Sequence, residues 1–137
     1  MNGSEILFLT IDDVLILHEL QLERYGGATG IRDRSLLESA IHMPQASFDS
    51  AFMHTNIFEM AAAYAFHIAE NQPFVDGNKR TALAAALVFL DWHSVDVNDP
   101  GEELYQAMIG LAEKRLDKAG LAKLFKTLST PFQVDCE

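Results

Sequence analysis

The stretch "NQPFVDGNKRTALAAALVFL", Asn71 to Leu90, decides the fold prediction because it joins a glycine-centred turn to a long apolar helix. The segment before it, "NIFEMAAAYAFHIAEN" from Asn56, is rich in alanine and almost free of charge. Helices that are apolar on all sides are usually buried in the middle of a bundle. Since the residue before a proline avoids the α region, the first helix should end before Pro73. The second is predicted from about Asn78 to Trp92.

The flanking sequence predicts four more helices from apolar spacing and local caps. The first starts at Ile11 after an N-cap at Thr10 and is stopped by Gly26 and Gly27. The second starts near Asp33 and ends before Pro44. The last two run from about Glu102 to Lys114 and, after an N-cap at Asp117, to about Leu128. The sequence therefore predicts an all-α fold, a single domain over residues 1–137. It is a bundle of about six helices with two apolar helices at its centre.

Three segments are not predicted as helices. The stretch from Gln45 to Thr55 has no helical stripe, and both a flap and a short helix remain open for it. The runs "LFLT" and "HSVDVNDPG" can each hold a short extended piece, and the tail from Pro131 is predicted to be loose. The only cysteine, Cys136, cannot form an internal disulfide, which fits a reducing, cytoplasmic setting.

The composition argues against two classes of partner. Twenty acidic residues against ten basic ones give a formal charge of −10. Phosphate contacts along a nucleic acid need clustered Lys and Arg, so nucleic-acid binding is not expected, and an anionic membrane surface is disfavoured for the same reason. No apolar run approaches the roughly 20 residues that span a bilayer. The N-terminus lacks the positive charge of a signal peptide.

The octet "PFVDGNKR" has the features of an anion site at a helix N-terminus. Such termini expose backbone N–H groups and a partial positive charge. Gly77 allows close approach to a ligand, and Asn78 adds an amide donor. Lys79 and Arg80 in the first helical turn oppose the helix dipole, a cost that a bound anion offsets. Asp76 is of the type that holds a Mg²⁺ bridging phosphate oxygens.

A purely structural explanation of these residues is also available. Asp76 can be an N-cap, Gly77 a turn residue, and the two cations solvated side chains. Taken alone, "DGN" before a helix favours that explanation. The full octet favours a site, because it gathers a carboxylate, a glycine, an amide and two cations at one terminus between two buried helices.

The octet resembles the signature of the Fic/Doc family, written H-P-F-x-D-G-N-(G/K)-R. Lys79, together with Leu83 where nucleotidyl-transferring members carry a second arginine, is similar to the Doc branch. A second stretch, "ERYGGATGIRDRSLLESAI" from Glu23 to Ile41, resembles the N-terminal helix–turn–helix segment of Doc toxins. The resemblance covers most of the chain from Leu9 to about Leu128.

This resemblance implies a toxin of a toxin–antitoxin pair. Doc toxins transfer the γ-phosphate of ATP to a threonine of elongation factor Tu and so stop translation, whereas other Fic proteins transfer AMP. By resemblance, Asp76 would hold Mg²⁺, Gly77 and Asn78 would form the anion hole, and Lys79 and Arg80 would grip nucleotide phosphates. Lys79 in place of glycine would narrow the pocket, which the family associates with phosphate transfer. A Phd-like antitoxin, folding on docking into an apolar groove, is the implied partner.

Gln72 departs from the family pattern at the position of the catalytic histidine. Histidine suits proton transfer near neutral pH because its unperturbed pKa is about 6.5. A glutamine amide can orient a hydroxyl but cannot act as a general base, and losing that help typically costs on the order of 10²–10⁴-fold in rate. We therefore predict that nucleotide binding survives and that catalysis is nearly lost. AMP transfer, or an inactive module that binds an antitoxin or a target, are the alternatives.

Other candidate residues are assigned smaller roles. His67 lies on the preceding helix about 500° of rotation from Gln72, so it is predicted to be a hydrogen-bonded structural residue rather than a replacement base. The other histidines, His18, His42, His54 and His93, show no metal spacing and are predicted to be surface or core residues. Arg24 by resemblance and Glu70 by position can face the site. The inhibitory pattern (S/T)-x-x-x-E-(G/N) of some Fic proteins is rejected, because Met60 follows Thr55 and Glu59.

Overall fold

The computed structural model describes residues 5–131, and within that range the chain forms six α-helices and four short strands. The helices are α1 (Ile11–Tyr25), α2 (Arg34–His42), α3 (Ile57–Asn71), α4 (Asn78–Trp92), α5 (Glu103–Ala112) and α6 (Lys118–Leu128). The strands are β1 (Ser47–Phe48), β2 (Ala51–Phe52), β3 (Val95–Val97) and β4 (Ser129–Pro131), and a 3₁₀ turn covers Met43–Gln45. The predicted bundle of six helices is confirmed.

Helices α3 and α4 form the centre of the bundle, as their apolar sequences predict. Small side chains line the surface between them, with Ala61, Ala65, Ala82 and Ala86 fully buried. Larger rings fill the space around this alanine-rich contact, and Tyr64 and Phe89 lie with centroids 5.3 Å apart. The pair is joined only by residues 72–77, so the turn between the helices is fixed by the packing on both sides of it.

Local caps set most helix ends where the sequence predicts them. Thr10 and Asp13 form a capping box at α1, and Asp33 and Asp117 accept backbone N–H groups at α2 and α6. Asn56 does the same at α3, where its side chain accepts from the N–H of Glu59. These contacts join residues three apart in sequence, which is why local sequence can reveal them.

The strands are where the structure adds to the sequence prediction. Gln45–Thr55 is a flap rather than a helix: β1 and β2 pair as an antiparallel hairpin. The predicted loose tail is wrong at Pro131, because β4 pairs antiparallel with β3 in the register Val95 to Pro131. The run "LFLT" forms no strand within the described chain. Residues 132–137, including Cys136, lie outside the described range.

No helix within residues 5–131 is both long and apolar enough to cross a bilayer.

Candidate anion-binding site

A cavity of about 730 Å³ lies where the C-terminal ends of α1 and α5 meet the turn between α3 and α4. All six residues predicted for the site line it: Gln72, Asp76, Gly77, Asn78, Lys79 and Arg80. A cavity of this size is within the range of small-ligand sites. The structure thus brings the last six residues of the octet, Val75 to Arg80, to one concave surface, with the first turn of α4 on its wall.

Gln72 ends α3 in a left-handed conformation, with φ 47° and ψ 57°. Its side chain is exposed at the cavity, while its backbone is clamped by the loop before α2. Arg32 donates from Nε to the Gln72 carbonyl at 2.7 Å and from Nη2 to the Asn71 carbonyl at 2.8 Å. The N–H groups of Arg32 and Asp33 also donate to the carbonyl of Pro73, at 2.7 and 3.0 Å. The orientation of Gln72 is therefore set from outside its own helix.

The carboxylate of Asp76 contacts the glycine loop that follows α1. Its Oδ2 accepts from the N–H of Ala28 at 3.1 Å, and its Oδ1 accepts from the N–H of Gly77 at 3.0 Å. Gly27 has φ 126°, and a Cβ added there would lie 2.9 Å from Asp76 Oδ2. Glycine is therefore required at this position for two reasons, its positive φ and the close approach to the carboxylate.

The turn between α3 and α4 packs against a buried histidine, which the sequence does not identify as part of the site. His18 is 5% exposed, and its ring stacks on Phe74 with centroids 3.8 Å apart. Its Nε2 lies 2.8 Å from the carbonyl oxygen of Asp76. A carbonyl can only accept, so Nε2 carries the proton and donates. Phe74 itself packs inward and is 1% exposed.

The side chain of Asn78 is occupied within the turn. Its Oδ1 accepts from the Phe74 N–H at 2.9 Å, and its Nδ2 donates to the Phe74 carbonyl at 3.0 Å. A primary amide has two N–H donors, so one remains for a ligand. The side chain of Asn78 thus closes the turn, and its contribution to the predicted anion hole rests on the remaining N–H and on its backbone amide.

The N-terminus of α4 is open toward the cavity. Gly77 precedes it in a left-handed conformation, with φ 78° and ψ 19°, and within the described chain no side chain caps it. Lys79 and Arg80 line the cavity beside it, with Lys114 from the end of α5. Three of the ten basic residues of an otherwise acidic chain therefore line one cavity. Cations at a helix N-terminus are unfavourable without an anion, so the local charge favours an anionic ligand.

Two cavity residues were missed because they are brought together only by tertiary packing. The Arg80 Cζ lies 3.7 Å from the ring centroid of Tyr25 and 4.3 Å from that of Tyr105. These rings belong to α1 and α5, far from Arg80 in sequence. Tyr25 is the last residue of α1, and no local pattern marks Tyr105.

The remaining candidates lie mostly outside the cavity. His67 is half-buried and its Nε2 lies 3.0 Å from Lys118 Nζ, which confirms a structural role for it. Within residues 5–131, Arg24 is not among the cavity-lining residues, whereas Glu70 lines it and pairs with Lys114 at 3.6 Å. Glu59 accepts from the N–H of Thr55 at 2.8 Å, so it caps α3 instead of reaching the cavity.

Comparison with known proteins assigns the chain to a family. A family model described as "Fic/DOC family" matches residues 8–90, a range that includes α1 to α3, the whole octet and α4 as far as Leu90. The chain belongs to the Fic/Doc family. This Fic/Doc chain is 33% identical to "Protein kinase doc" of Escherichia phage P1 over 117 residues, which cover 85% of the chain and 91% of that protein.

A second Fic/Doc relative comes from a bacterium. "Toxin Doc" of Mycolicibacterium smegmatis (strain ATCC 700084 / mc(2)155) is 37% identical over 90 residues, which cover 66% of the chain and 67% of that protein. The two alignments and the family match together support the resemblance that the octet indicates, and the mostly helical fold agrees with it.

Proposed function

We propose that this chain is the toxin of a toxin–antitoxin pair, built on a scaffold that transfers the γ-phosphate of ATP to a threonine of elongation factor Tu. We propose further that Gln72 leaves nucleotide binding intact and nearly abolishes transfer. The observation that carries the proposal is the uncapped N-terminus of α4, which faces a cavity that Asp76, Lys79 and Arg80 also line. The relative named "Protein kinase doc" supports phosphoryl transfer.

The carboxylate of Asp76 is suited to a Mg²⁺ that arrives with a nucleotide. Within the described chain no three His, Cys, Asp or Glu side chains group as a metal site, so a metal held by protein ligands alone is not expected. Mg²⁺ in phosphoryl-transfer sites is typically held by one or two carboxylates together with substrate phosphates and water. Each oxygen of Asp76 accepts one backbone N–H and keeps a lone pair. When bound, Mg²⁺ would neutralise charge on the phosphate oxygens.

The transfer step places a specific demand on position 72. The threonine oxygen forms a bond to the γ-phosphorus, the bond from that phosphorus to the bridging oxygen breaks, and ADP leaves. The hydroxyl proton needs an acceptor, which in the family is a histidine. Gln72 can hydrogen-bond the hydroxyl and orient it, but its amide takes no proton. Because phosphoryl transfer depends mainly on positioning and charge stabilisation, a low residual rate is expected.

AMP transfer to a protein hydroxyl is the second candidate within the same fold. It is disfavoured by Leu83, which replaces the second arginine of AMP-transferring members and packs against the hydrophobic core. Lys79, by resemblance to the Doc branch, also disfavours AMP transfer. A binding module without turnover is the candidate from a different class, and the replaced histidine favours it. An antitoxin segment that folds on docking is the proposed controlling partner in either case.

A paired phosphotransfer assay tests the proposal. This chain and its Gln72→His variant are each incubated with ATP labelled at the γ-phosphate, Mg²⁺ and purified elongation factor Tu. We expect label on the target with Gln72→His and on the order of 10²–10⁴-fold less with the parent chain. Gln72→Asn is the matched control, since it keeps an amide and asparagine also tolerates the left-handed backbone. It should stay as inactive as the parent.

Two further arms separate the candidates. Asp76→Asn in the Gln72→His background should lose transfer while preserving the size of the side chain, as expected for a Mg²⁺ ligand. The intact mass of the target distinguishes an added phosphate from an added AMP. Equal transfer by the parent and the histidine variant would contradict the proposed role of Gln72. No transfer by either, with nucleotide still bound, would favour the binding module.

A further inference from the structure

The guanidinium of Arg80 contacts two tyrosine rings. Its Cζ lies 3.7 Å from the centroid of Tyr25 at the end of α1 and 4.3 Å from the centroid of Tyr105 on α5. All three residues line the cavity at the N-terminus of α4. Three separate helices therefore meet on one cation, and the contact orders a side chain that would otherwise sample many rotamers.

A cation over an aromatic ring is held by the electrostatics of the ring face, which leaves the five N–H donors of a guanidinium available for hydrogen bonds. Within residues 5–131 the ion pairs are Arg34–Glu38, Lys114–Glu70 and Arg115–Glu113, so no described carboxylate neutralises Arg80. In a chain with a formal charge of −10, an arginine held in a cavity without a carboxylate partner is suited to an external anion.

We propose that Tyr25 and Tyr105 are positioning residues that hold Arg80 for an edge-on, two-point contact with a phosphate of the bound nucleotide. The inference rests on the proposed nucleotide site and adds a second anion position beside the one at the N-terminus of α4. Two anion positions on one wall favour a polyphosphate over a monophosphate. The tyrosines act on affinity through Arg80 and make no contribution to binding of the nucleoside portion.

Calorimetric titration of Mg²⁺·ATP, Mg²⁺·ADP, AMP and adenosine tests this on the parent chain and on Tyr105→Leu and Tyr105→Phe. A ring contact to a cation corresponds to a change of about 3- to 10-fold in affinity. We expect that loss for Mg²⁺·ATP with Tyr105→Leu, a smaller loss for AMP, and unchanged adenosine binding. Tyr105→Phe keeps the aromatic face and should restore the affinity of the parent.

A double-mutant cycle distinguishes positioning from general destabilisation. In an Arg80→Gln background, Tyr105→Leu should cause no further loss of Mg²⁺·ATP affinity, because the group that the ring orients is gone. Tyr25→Leu is the parallel variant, since Tyr25 is 52% exposed at a helix end and its replacement leaves the core untouched. It keeps the test decisive if Tyr105→Leu does not fold.

The binding measurements have several possible outcomes that would contradict the inference. Equal affinity losses for adenosine and ATP would assign the rings to base stacking and overturn the inference, as would an undiminished effect in the Arg80→Gln background. Nucleotide binding that is indifferent to both tyrosines overturns the inference and leaves the proposed function standing. If the parent chain binds no Mg²⁺·ATP at millimolar concentration, the proposed function and the inference fall together.

Discussion

His18 donates from Nε2 to the carbonyl oxygen of Asp76 at 2.8 Å, across 58 residues of sequence. The contact ties α1 to the turn that carries the proposed Mg²⁺ ligand, and the stacking of His18 on Phe74 holds the imidazole in place. His18 thus holds the backbone of Asp76 through its carbonyl oxygen, while the N–H of Ala28 holds its carboxylate. The position of the carboxylate depends on residues from three segments of the chain.

Replacing His18 should lower the affinity of the site for ATP in the presence of Mg²⁺ while the protein still folds. His18→Phe preserves an aromatic ring against Phe74 but leaves the Asp76 carbonyl without its donor. Loss of a buried hydrogen-bond partner costs about 1–3 kcal/mol of unfolding free energy. We expect that loss in urea denaturation, together with weaker Mg²⁺-dependent ATP binding. Phe74→Leu is the control for stacking alone: it should destabilise the fold with the hydrogen bond to Asp76 retained. An unchanged Mg²⁺ dependence in His18→Phe would contradict the coupling.

Gly27→Ala should displace the carboxylate of Asp76. The new Cβ would lie 2.9 Å from Asp76 Oδ2 and 3.0 Å from Leu22 Cδ2, on a backbone with φ 126°. Strain of this kind costs about 1–3 kcal/mol, and the carboxylate must shift to relieve it. We expect a lower affinity for ATP in the presence of Mg²⁺, measured by calorimetry.

Gly26→Ala is the matched control for that substitution. Gly26 also has a positive φ of 83°, but an added Cβ would meet no atom within 4 Å. It should reproduce the backbone strain while keeping the Mg²⁺ dependence of ATP binding. If both alanine variants altered Mg²⁺ dependence alike, the contact with Asp76 would not be the cause.

Arg32→Ala should loosen the turn at Gln72. The guanidinium donates to the carbonyls of Gln72 and Asn71 from an exposed position, so the expected loss is at the lower end of charged hydrogen bonds, about 1–2 kcal/mol. Amide hydrogen exchange at residues 71–76 should become faster. The control is Arg34→Ala, whose exposed pair with Glu38 at 3.4 Å is worth only about 0.3–0.5 kcal/mol. A similar change in hydrogen exchange for both variants would show that the hydrogen bonds from Arg32 do not stabilise the turn.

The stability of the fold should fall on acidification through a cluster of basic groups behind the cavity. Lys118 Nζ lies 3.1 Å from His54 Nε2 and 3.0 Å from His67 Nε2, and above the ring of Phe66. Burial and the neighbouring Lys118 lower the pKa of His67 from 6.5 to about 4. The same causes lower the pKa of His54, which Glu59 opposes by raising it.

The sign follows from proton binding. Between pH 6.5 and about 4 the unfolded chain binds a proton at His67 that the folded chain does not, so stability is lost as the pH falls through this window. Because His67 is only half-buried, the loss is discounted for solvent screening to about 1 kcal/mol. His67→Gln should flatten the pH dependence of unfolding free energy in urea melts. His42→Gln, on the exposed side of α2, should leave the slope unchanged; an equal effect would contradict the assignment.

The sequence predicts those parts of the fold that depend on near neighbours along the chain. The caps at Thr10 and Asp117, and the limits of α4, involve residues a few positions apart. The octet brings its carboxylate, glycine and cations to one cavity for the same reason. Contacts across long separations were not predictable from one sequence: the β3–β4 pair, the tyrosines around Arg80, and His18 beneath Asp76. Each requires helices or strands that only tertiary packing brings together.

The left-handed backbone at Gln72 has a genetic consequence. Histidine belongs with asparagine and aspartate among the residues that adopt positive φ comparatively often, so the φ of 47° accepts it without rebuilding the turn. Codons for glutamine and histidine differ only in their last base. A chain already folded around this turn therefore stands one point mutation from histidine, the residue at this position of the signature that the octet resembles. Under the proposed function, such a mutation would supply the missing proton acceptor, and chains that carry it are expected to be toxic wherever no antitoxin restrains them.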